Sequence, residues 1–415
     1  MERALLASVV LGLVGCVEEG PPDDPSTCDV VPARAVDDET RGVAAGVNAF
    51  GHALYGQLAN ATPDANLAFS PTSIASVLAM AQVGAGGETA TELAEALGMG
   101  DDTAAYQHAF GSFLQDIDLP TLEEGCYTTE TSAAQAAFLR SDLTLQDAFS
   151  SQLLADYGAA PQALEAEDPV GQINGWVDTE TQGHIPSLLA QGQITPDIAL
   201  VLVNAVYFRG DWAQPFDPQW TASSYFTKLD GSQVSVEMMD NLEEDEFEVG
   251  RAAEIDGGQV VELPYKGEQM SLVIVLPDAP DGLPAMEKDL DSEIVDGWFA
   301  ALDDASDSRV ALPKITLDWK KDILAELVAQ MPSLADGGDF TNMIVDDAPG
   351  LAFVQHEATM QWDEQGTVAT AATAGGFADS YQEYPRVDHP FLFFLRDGVT
   401  GMVLFEGRVV DPSAK

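Results

Sequence analysis

Apolar residues recur at intervals of three and four positions in three parts of the chain, which predicts amphipathic helices. The first part follows a Ser-Pro-Thr-Ser sequence that starts at Ser70 and is typical of a helix N-terminus. The residues that carry the three patterns are Ile74, Val77, Leu78 and Ala81; Ile173, Trp176 and Val177; and Ile323, Leu324, Leu327 and Val328. The remaining apolar segments follow strand patterns.

Four segments predict strands. Residues 198–208 are almost wholly apolar and branched, as expected for a central strand with both faces buried, and residues 270–276 and 391–395 are similar. Between residues 354 and 363, apolar and polar residues alternate, which predicts a strand with one buried face. The buried set is Val354, His356, Ala358, Met360 and Trp362. Helices and strands mix without regular alternation, so the predicted class is α+β with large, mainly antiparallel sheets.

The N-terminal part differs in composition from the rest. Arg3 precedes an apolar stretch at residues 4–14 that is too short to span a membrane, so residues 1–15 are predicted to be a secretory signal that is removed. Residues 16–41 are rich in acidic residues and proline, which predicts a solvated tether. From Gly42 the pattern is globular without another linker, which predicts one domain at residues 42–415.

The charge balance excludes several kinds of partner. The chain of 415 residues has 69 acidic and 17 basic residues, and its formal net charge is −52. Such a surface repels nucleic acids and anionic membrane faces, so we expect neither as a partner. We interpret the acid excess as a strongly solvated surface, and recognition of a basic partner is the alternative.

The sequence contains no motif that supports catalysis or metal binding. None of the histidines lies at metal-ligand spacing from another ligand residue. No Gly-x-Ser-x-Gly segment is present, and the glycine-rich segment at Gly84 lacks the lysine of a phosphate-binding loop. We therefore expect a protein that is not an enzyme and that holds no metal or cofactor.

Three cysteines are present, and the first stands in a distinctive segment. Leu13-Val14-Gly15-Cys16 resembles the bacterial lipobox, in which the cysteine is lipidated and becomes the new N-terminus. The alternative is an ordinary signal peptide with an incidental cysteine. Cys28 and Cys126 remain, and an exported protein permits a disulfide between them. The sequence does not show that the two are close enough, so their pairing stays open.

Four separated segments resemble the serpin family of serine protease inhibitors, in the family's order. They are NLAFSPTSI at residues 66–74, INGWV with TQGHI at residues 173–185, LVNAVYFRGDW at residues 202–212, and DHPFLFF at residues 388–394. Together they cover the chain from about residue 42 to residue 412. The resemblance implies three mainly antiparallel β-sheets, eight or nine helices and an exposed reactive-centre loop.

The resemblance also implies a function, inhibition by a suicide-substrate mechanism. A target serine protease cleaves the loop and forms an acyl-enzyme, and the cleaved loop then inserts into the main β-sheet and traps the protease. We accordingly expect a secreted monomer, extracellular or in the cell envelope, that touches a membrane only through its N-terminal lipid. The alternative is a non-inhibitory serpin that acts as a binding, carrier or surface structural module.

The loop hinge is assigned from the resemblance to nine residues. They are Glu364, Gly366, Thr367, Val368, Ala369, Thr370, Ala371, Ala372 and Thr373. In an inserted strand, alternate positions point into the core. Those positions are Thr367, Ala369, Ala371 and Thr373, and all four are small and uncharged, whereas a buried charge there would cost several kcal/mol. Val368 replaces the acidic residue that the family prefers, but this position should face outward in the inserted strand.

The scissile bond has two candidate positions. The family's usual spacing from Glu364 gives Ser380–Tyr381, and counting back from Pro390 gives Asp379–Ser380. A small residue before the bond suits elastase-like or subtilisin-like proteases, and cleavage after Tyr381 or Phe377 would suit chymotrypsin-like ones. No basic residue lies beside either bond, which disfavours trypsin-like targets.

The resemblance implies two polar clusters. The shutter, below the opening of the main sheet, comprises Ser70, Ser73, Asn204 and His356. The breach, where the loop enters, comprises Trp212, Lys314 and Glu364. Because His356 lies on an apolar strand face, we expect it to be hydrogen-bonded. We expect Lys314 and Glu364 to form a surface pair that contributes about 0–1 kcal/mol. The family's basic heparin-binding helix has no counterpart, so heparin is not an expected partner.

Overall fold

The computed structural model describes residues 36–117, 130–240, 250–288, 290–367 and 384–414. Within these ranges the chain forms nine α-helices and sixteen strands in three sheets, which confirms the predicted α+β class. The predicted signal at residues 1–15, the first part of the tether, Cys16, Cys28 and Cys126 lie outside them. No helix in the described ranges is long and apolar enough to cross a membrane.

The helices begin where short polar side chains can cap them. Asp37, Ser70, Asp102, Asp168 and Asp291 each accept a hydrogen bond from a backbone N–H in the first turn. The helices are α1 (Asp38–Ala61), α2 (Pro71–Val83), α3 (Gly87–Ala96), α4 (Thr103–Asp116), α5 (Asp147–Tyr157), α6 (Pro169–Glu180), α7 (Leu283–Met286), α8 (Ser292–Ala301) and α9 (Leu324–Gln330). The three predicted helices correspond to α2, α6 and α9. Helix α1 begins ahead of Gly42, inside the segment predicted as tether, because Asp37 caps its first turn.

The strands fall into three sheets, each mainly antiparallel. The strands are β1 (Leu67–Phe69), β2 (Glu130–Arg140), β3 (Pro161–Leu164), β4 (Leu200–Asp211), β5 (Ala222–Thr227), β6 (Gln233–Met239), β7 (Gly250–Ile255), β8 (Gly258–Pro264), β9 (Met270–Pro277), β10 (Ser306–Ser308), β11 (Leu312–Pro313), β12 (Ile315–Asp322), β13 (Gln355–Trp362), β14 (Gly366–Thr367), β15 (Phe391–Asp397) and β16 (Val403–Val409). The sheet orders are β1-β16-β15-β9-β8-β7-β10, β11-β6-β5 and β12-β13-β14-β4-β2-β3. Among the strands of the described ranges, β2 and β3 are the only pair that is parallel.

The predicted strands appear in two of these sheets. Strands β9 and β15 are central in the seven-stranded sheet, and both are buried almost throughout, as predicted. Strand β13 belongs to the six-stranded sheet, and its residues alternate between half-buried and buried, so the predicted one-faced strand is confirmed. His356, Ala358, Met360 and Trp362 form the buried face.

Strand β4 departs in part from the prediction of two buried faces. On one face Val201, Val203 and Ala205 are buried in a cluster with Ile173 of α6. On the other face the side chains of Leu200, Leu202 and Asn204 are only half-buried. The physical reason is the missing neighbour: within the described ranges, β4 is linked to β13 only through the two residues of β14.

Candidate functional site

The six-stranded sheet contains an incomplete strand position. Thr367 of β14 lies opposite Trp362 of β13 on one side and Gly210 of β4 on the other. The residues of β13 before Trp362 and those of β4 before Gly210 have no described strand between them. We call this gap, between residues 355–361 of β13 and residues 200–209 of β4, the slot. The end at β14 is its entrance.

The slot opens into a cavity of about 430 Å³. Its walls include Ile74 and Val77 of α2, the half-buried Leu202 of β4, and His356 of β13. Ser70, Ser73 and Asn204 line the same cavity. The four residues assigned to the shutter therefore meet around one space beneath the slot.

Strand β14 fills the entrance with two residues, Gly366 and Thr367, which pack closely against their neighbours. A Cβ atom on Gly366 would lie 1.9 Å from the carbonyl oxygen of Gly210, so only glycine fits at this position. The next side chain, Thr367, is buried, and its Oγ1 lies 2.7 Å from the hydroxyl of Tyr265. The hinge thus starts in strand geometry, with Thr367 facing inward.

Trp212 holds the turn that leads into β14. Its backbone N–H donates to the carbonyl of Gln365 at 2.8 Å, and its indole Nε1–H donates to the carbonyl of Asp363 at 2.8 Å. The indole is almost fully buried and stacks on Tyr265 with ring centroids 4.7 Å apart. Trp212 and Tyr265 together fix the chain just before the slot.

Lys314 and Glu364 form an ion pair at the same turn, with 2.6 Å between Nζ and Oε2. The expectation of an exposed pair is wrong, because the Glu364 side chain is only 5% exposed and Lys314 is 24% exposed. Thr221 Oγ1 donates a second hydrogen bond to the carboxylate at 2.6 Å. Burial raises the pKa of Glu364, but the hydrogen bonds from Lys314 and Thr221 outweigh it, so the pKa is lowered and the carboxylate is charged.

The polar residues below the entrance connect α2 to β13. The Ser70 side chain caps α2 by accepting from the N–H of Ser73 at 3.0 Å. The backbone N–H of Ser70 donates to Nε2 of His356 at 3.0 Å, so the expectation of a hydrogen-bonded His356 is met. Because Nε2 accepts, the neutral ring carries its proton on Nδ1. Burial lowers the pKa of His356 to about 3, which keeps the ring neutral.

Asn204 differs from the other members of this cluster. Both polar atoms of its side chain are buried, and neither has a hydrogen-bond partner among the described residues. It borders the same cavity as His356 but is not hydrogen-bonded to it. A buried amide without partners destabilises a folded chain by about 1–3 kcal/mol.

Two contributors at the entrance, Tyr265 and Thr221, were not found from the sequence. They lie on or beside strands of the other two sheets, far along the chain from Thr367 and Glu364. No motif marks them, because their contribution depends on how the sheets pack. The sequence offered only two weak signals: Tyr265 stands between Pro264 and Lys266, and Thr221 follows the Asp-Pro-Gln-Trp segment at residues 217–220.

The remaining assigned residues lie outside the described residues. They are Val368, Ala369, Thr370, Ala371, Ala372 and Thr373 of the hinge, and Asp379, Ser380 and Tyr381 of the candidate bonds. Across the ranges that the structure does describe, no group of three or more His, Cys, Asp or Glu side chains is placed to hold a metal ion.

Comparison with known proteins identifies the fold. The profile of the family described as Serpin (serine protease inhibitor) matches residues 45–412. The chain is 33% identical over 373 residues to Serpin-Z1B of Triticum aestivum, which covers 84% of this chain and 90% of that protein. It is 32% identical over 376 residues to plasminogen activator inhibitor 1 of Mus musculus, covering 88% and 91% of the two chains.

Solved structures agree with this similarity. Cleaved Serpin 42Da superposes with a TM-score of 0.76 at 26% identity, covering 90% of this chain and 99% of the other. AtSerpin1 of Arabidopsis in its native stressed conformation gives 0.73 at 25% identity, covering 91% and 100%. Thyroxine-binding globulin in complex with thyroxine gives 0.76 at 25% identity, covering 89% and 99%.

Proposed function

The chain belongs to the serpin family, and we propose that it is a suicide-substrate inhibitor of serine proteases whose cleaved loop fills the slot. One observation carries the proposal: the strand position between β13 and β4 is occupied by Gly366 and Thr367 alone within the described residues. The segment that follows directly, residues 368–373, is small and uncharged at the positions that would point inward. Such a segment can become a buried strand without desolvating a charge.

The cavity beneath the slot indicates the size of the driving force. If the whole cavity of about 430 Å³ were filled, the contribution would reach an upper limit of about 10 kcal/mol at ~24 cal/mol per Å³. New backbone hydrogen bonds on both sides of the inserted strand would add to this. A gain of several kcal/mol, released only after cleavage, would make insertion of the cleaved loop effectively irreversible, because about 1.4 kcal/mol changes the equilibrium constant tenfold.

The target class follows from the residues around the candidate bonds. Cleavage at Ser380–Tyr381 would offer the small Ser380 side chain to the protease pocket, so we propose elastase-like or subtilisin-like targets, with chymotrypsin-like proteases as a further class; the alternative bond Asp379–Ser380 would offer the acidic Asp379 instead. The test mixes the purified protein with an elastase, a subtilisin, a chymotrypsin and a trypsin. An SDS-resistant covalent complex supports inhibition, and the mass of the released C-terminal fragment identifies the cleaved bond. Loop cleavage by every protease without any complex would refute it.

We also propose that the protein is exported and anchored through a lipid on Cys16, with residues 17–35 as a spacer. The leader and the Leu-Val-Gly-Cys segment support this assignment. Expression in a bacterium with a metabolic fatty-acid label should label the wild-type chain, and Cys16→Ser should lose the label. The same preparation, alkylated before and after reduction, reports whether Cys28 and Cys126 are paired.

A further inference from the structure

A histidine and a glutamate face each other in the core, between α1 and the seven-stranded sheet. Nδ1 of His52 on α1 lies 2.9 Å from Oε2 of Glu406 on β16, although 354 positions separate the two residues in the chain. Their side chains are only 2% and 1% exposed. The other carboxylate oxygen, Oε1 of Glu406, is buried and has no hydrogen-bond partner among the described residues. Within those residues, His52 is therefore the only group that is hydrogen-bonded to this carboxylate.

Aromatic residues of β15 and α8 surround the pair on one side. Phe394 lies opposite Glu406 in the sheet, and its ring is edge-on to the ring of His52, with 6.1 Å between the centroids. Phe299 of α8 packs edge-to-face on Phe394, with 5.4 Å between the centroids. Arg396, the cation of β15, lies 4.6 Å from the centre of the Phe299 ring and forms no ion pair with Glu406. A charge in such surroundings is costly unless an opposite charge is paired with it.

The other charged groups that face the pair neutralise one another. Arg408, two residues after Glu406 on β16, donates to both carboxylate oxygens of Glu287, which follows α7, at 2.8 and 3.0 Å. Tyr55, on the next turn of α1, donates to the same carboxylate, and burial raises the pKa of its hydroxyl, which therefore stays protonated. Strand β1 and the first turn of α2, which also border the pair, have no charged side chains.

The charge balance of this interface therefore depends on His52. Because Arg408 and Glu287 cancel, a neutral His52 would leave Glu406 as a buried negative charge without a cation. A second proton on the imidazole makes the pair neutral overall, and the carboxylate that faces Nδ1 favours this charged ring. The arrangement is the reverse of His356, whose Nε2 accepts from a backbone N–H and whose ring is therefore neutral.

We propose that His52 and Glu406 form a pH-sensitive switch, which holds α1 against the seven-stranded sheet while the imidazole is doubly protonated. An unfolded chain loses the second proton as the pH rises through about 6.5, the ordinary pKa of a histidine side chain. The contribution of the pair to the free energy of unfolding is thus complete below that pH. It decreases at higher pH until the folded pair also loses the proton. Since His356 acts in the opposite direction, the combined contribution of the two histidines is largest near pH 6.5.

The first test compares melting temperatures of the full chain between pH 6 and pH 8.5. The matched control is the double variant His52→Phe/Glu406→Met, which replaces the pair with apolar side chains and keeps every other ionisable group. Over this range the melting temperature of the wild type should fall by about 2 °C more than that of the double variant. Glu406→Gln keeps the volume of the side chain but removes its charge, so its loss should not exceed that of the double variant.

The charge of the ring can also be observed directly by nuclear magnetic resonance. After selective nitrogen-15 labelling of histidine, the ring signal that is absent from the double variant belongs to His52. We expect this ring to carry protons on both nitrogens at pH 7, whereas His356 carries a proton on one nitrogen. A role in packing alone would not require the second proton.

Two results would each overturn the switch. One is a wild type whose loss of melting temperature does not exceed that of the double variant, and the other is a His52 ring with a single proton at pH 7. If the double variant does not fold, Glu406→Gln replaces it in both measurements, with the same criteria. Neither result affects the proposed inhibition of proteases, which does not depend on this pair.

Discussion

The entrance of the slot and the space beneath it are built in opposite ways. At the entrance the polar groups are paired: Glu364 with Lys314 and Thr221, and Thr367 with Tyr265. Beneath it, Asn204 has no partner among the described residues, and a cavity of about 430 Å³ separates β4 from β13. The two regions are neighbours in one sheet, yet one is fully packed and the other is not.

This difference indicates which groups destabilise the intact form and which groups stabilise it. A cavity and an unpaired amide destabilise the intact form, and both can be removed by a strand that fills the slot. The paired groups at the entrance stabilise the intact form locally and hold the hinge in place. The intact state therefore combines an underpacked centre with a secured entrance, which is the arrangement that the proposed suicide-substrate mechanism requires.

The largest expected effect comes from placing a charge on the inserting segment. Ala371→Arg puts a cation on a position that points inward after insertion, where burial without a partner costs several kcal/mol. The variant should be cleaved as a substrate and form no SDS-resistant complex. Ala372→Arg places the same charge on the outward face and should still inhibit. Equal behaviour of the two variants would contradict the predicted register.

Breaking the ion pair at the entrance should have the next largest effect. Lys314→Met leaves the buried Glu364 carboxylate without its cation, which should destabilise the intact form by about 3–5 kcal/mol. The control is Lys228→Met, because the Lys228–Asp411 pair is longer, at 3.4 Å, and more exposed. We expect a change within about 1 kcal/mol there. Similar melting temperatures for both variants would show that the entrance pair does not hold the intact state.

Acidic pH should lower the free energy of unfolding through His356, which lies beneath the entrance. Its folded pKa is about 3 and its ordinary value is 6.5, so the unfolded chain binds the extra proton first. The contribution of neutral His356 to the free energy of unfolding is complete above about pH 6.5. It decreases as the pH falls, by about 2 kcal/mol at pH 5. His356→Gln should reduce the loss of melting temperature between pH 7.5 and 5 by about 3 °C. An unchanged loss in His356→Gln would contradict the assignment.

The smallest expected effect concerns Asn204. Asn204→Leu removes an unpaired amide and adds apolar volume to the cavity, so the intact form should gain about 1 kcal/mol. The same change should reduce the stability gained on loop cleavage. The control Asn174→Leu removes an amide that is hydrogen-bonded to both backbone groups of Leu189, and it should destabilise the protein. Destabilisation by both variants would show that Asn204 is not a source of strain.

The sequence predicts the parts of this molecule that depend on local patterns. The alternation from Val354 to Trp362 predicts β13 with its buried face, and the Ser-Pro segment at Ser70 predicts the start of α2. Family resemblance placed Trp212, Lys314 and Glu364 in one cluster, and the structure brings them together.

What the sequence missed depends on distant contacts. The burial of Glu364 arises because Thr221, more than a hundred residues earlier, packs against it, so the pair could not be recognised as buried from local composition. The half-buried face of β4 could not be predicted either, because Leu200 and Leu202 look like core residues in the sequence, and only the sheet order shows that no strand of the described ranges pairs with β4 beside them on that side.

The most direct measurement is the melting temperature of the protein before and after its loop is nicked by a non-target protease. If about 10 kcal/mol is recovered from the filled cavity and the new backbone hydrogen bonds together, the nicked protein should melt roughly 13 °C higher. Its severed loop should also resist further digestion. A nicked protein that melts at the temperature of the intact one, with residues 368–380 still open to proteases, would contradict the account.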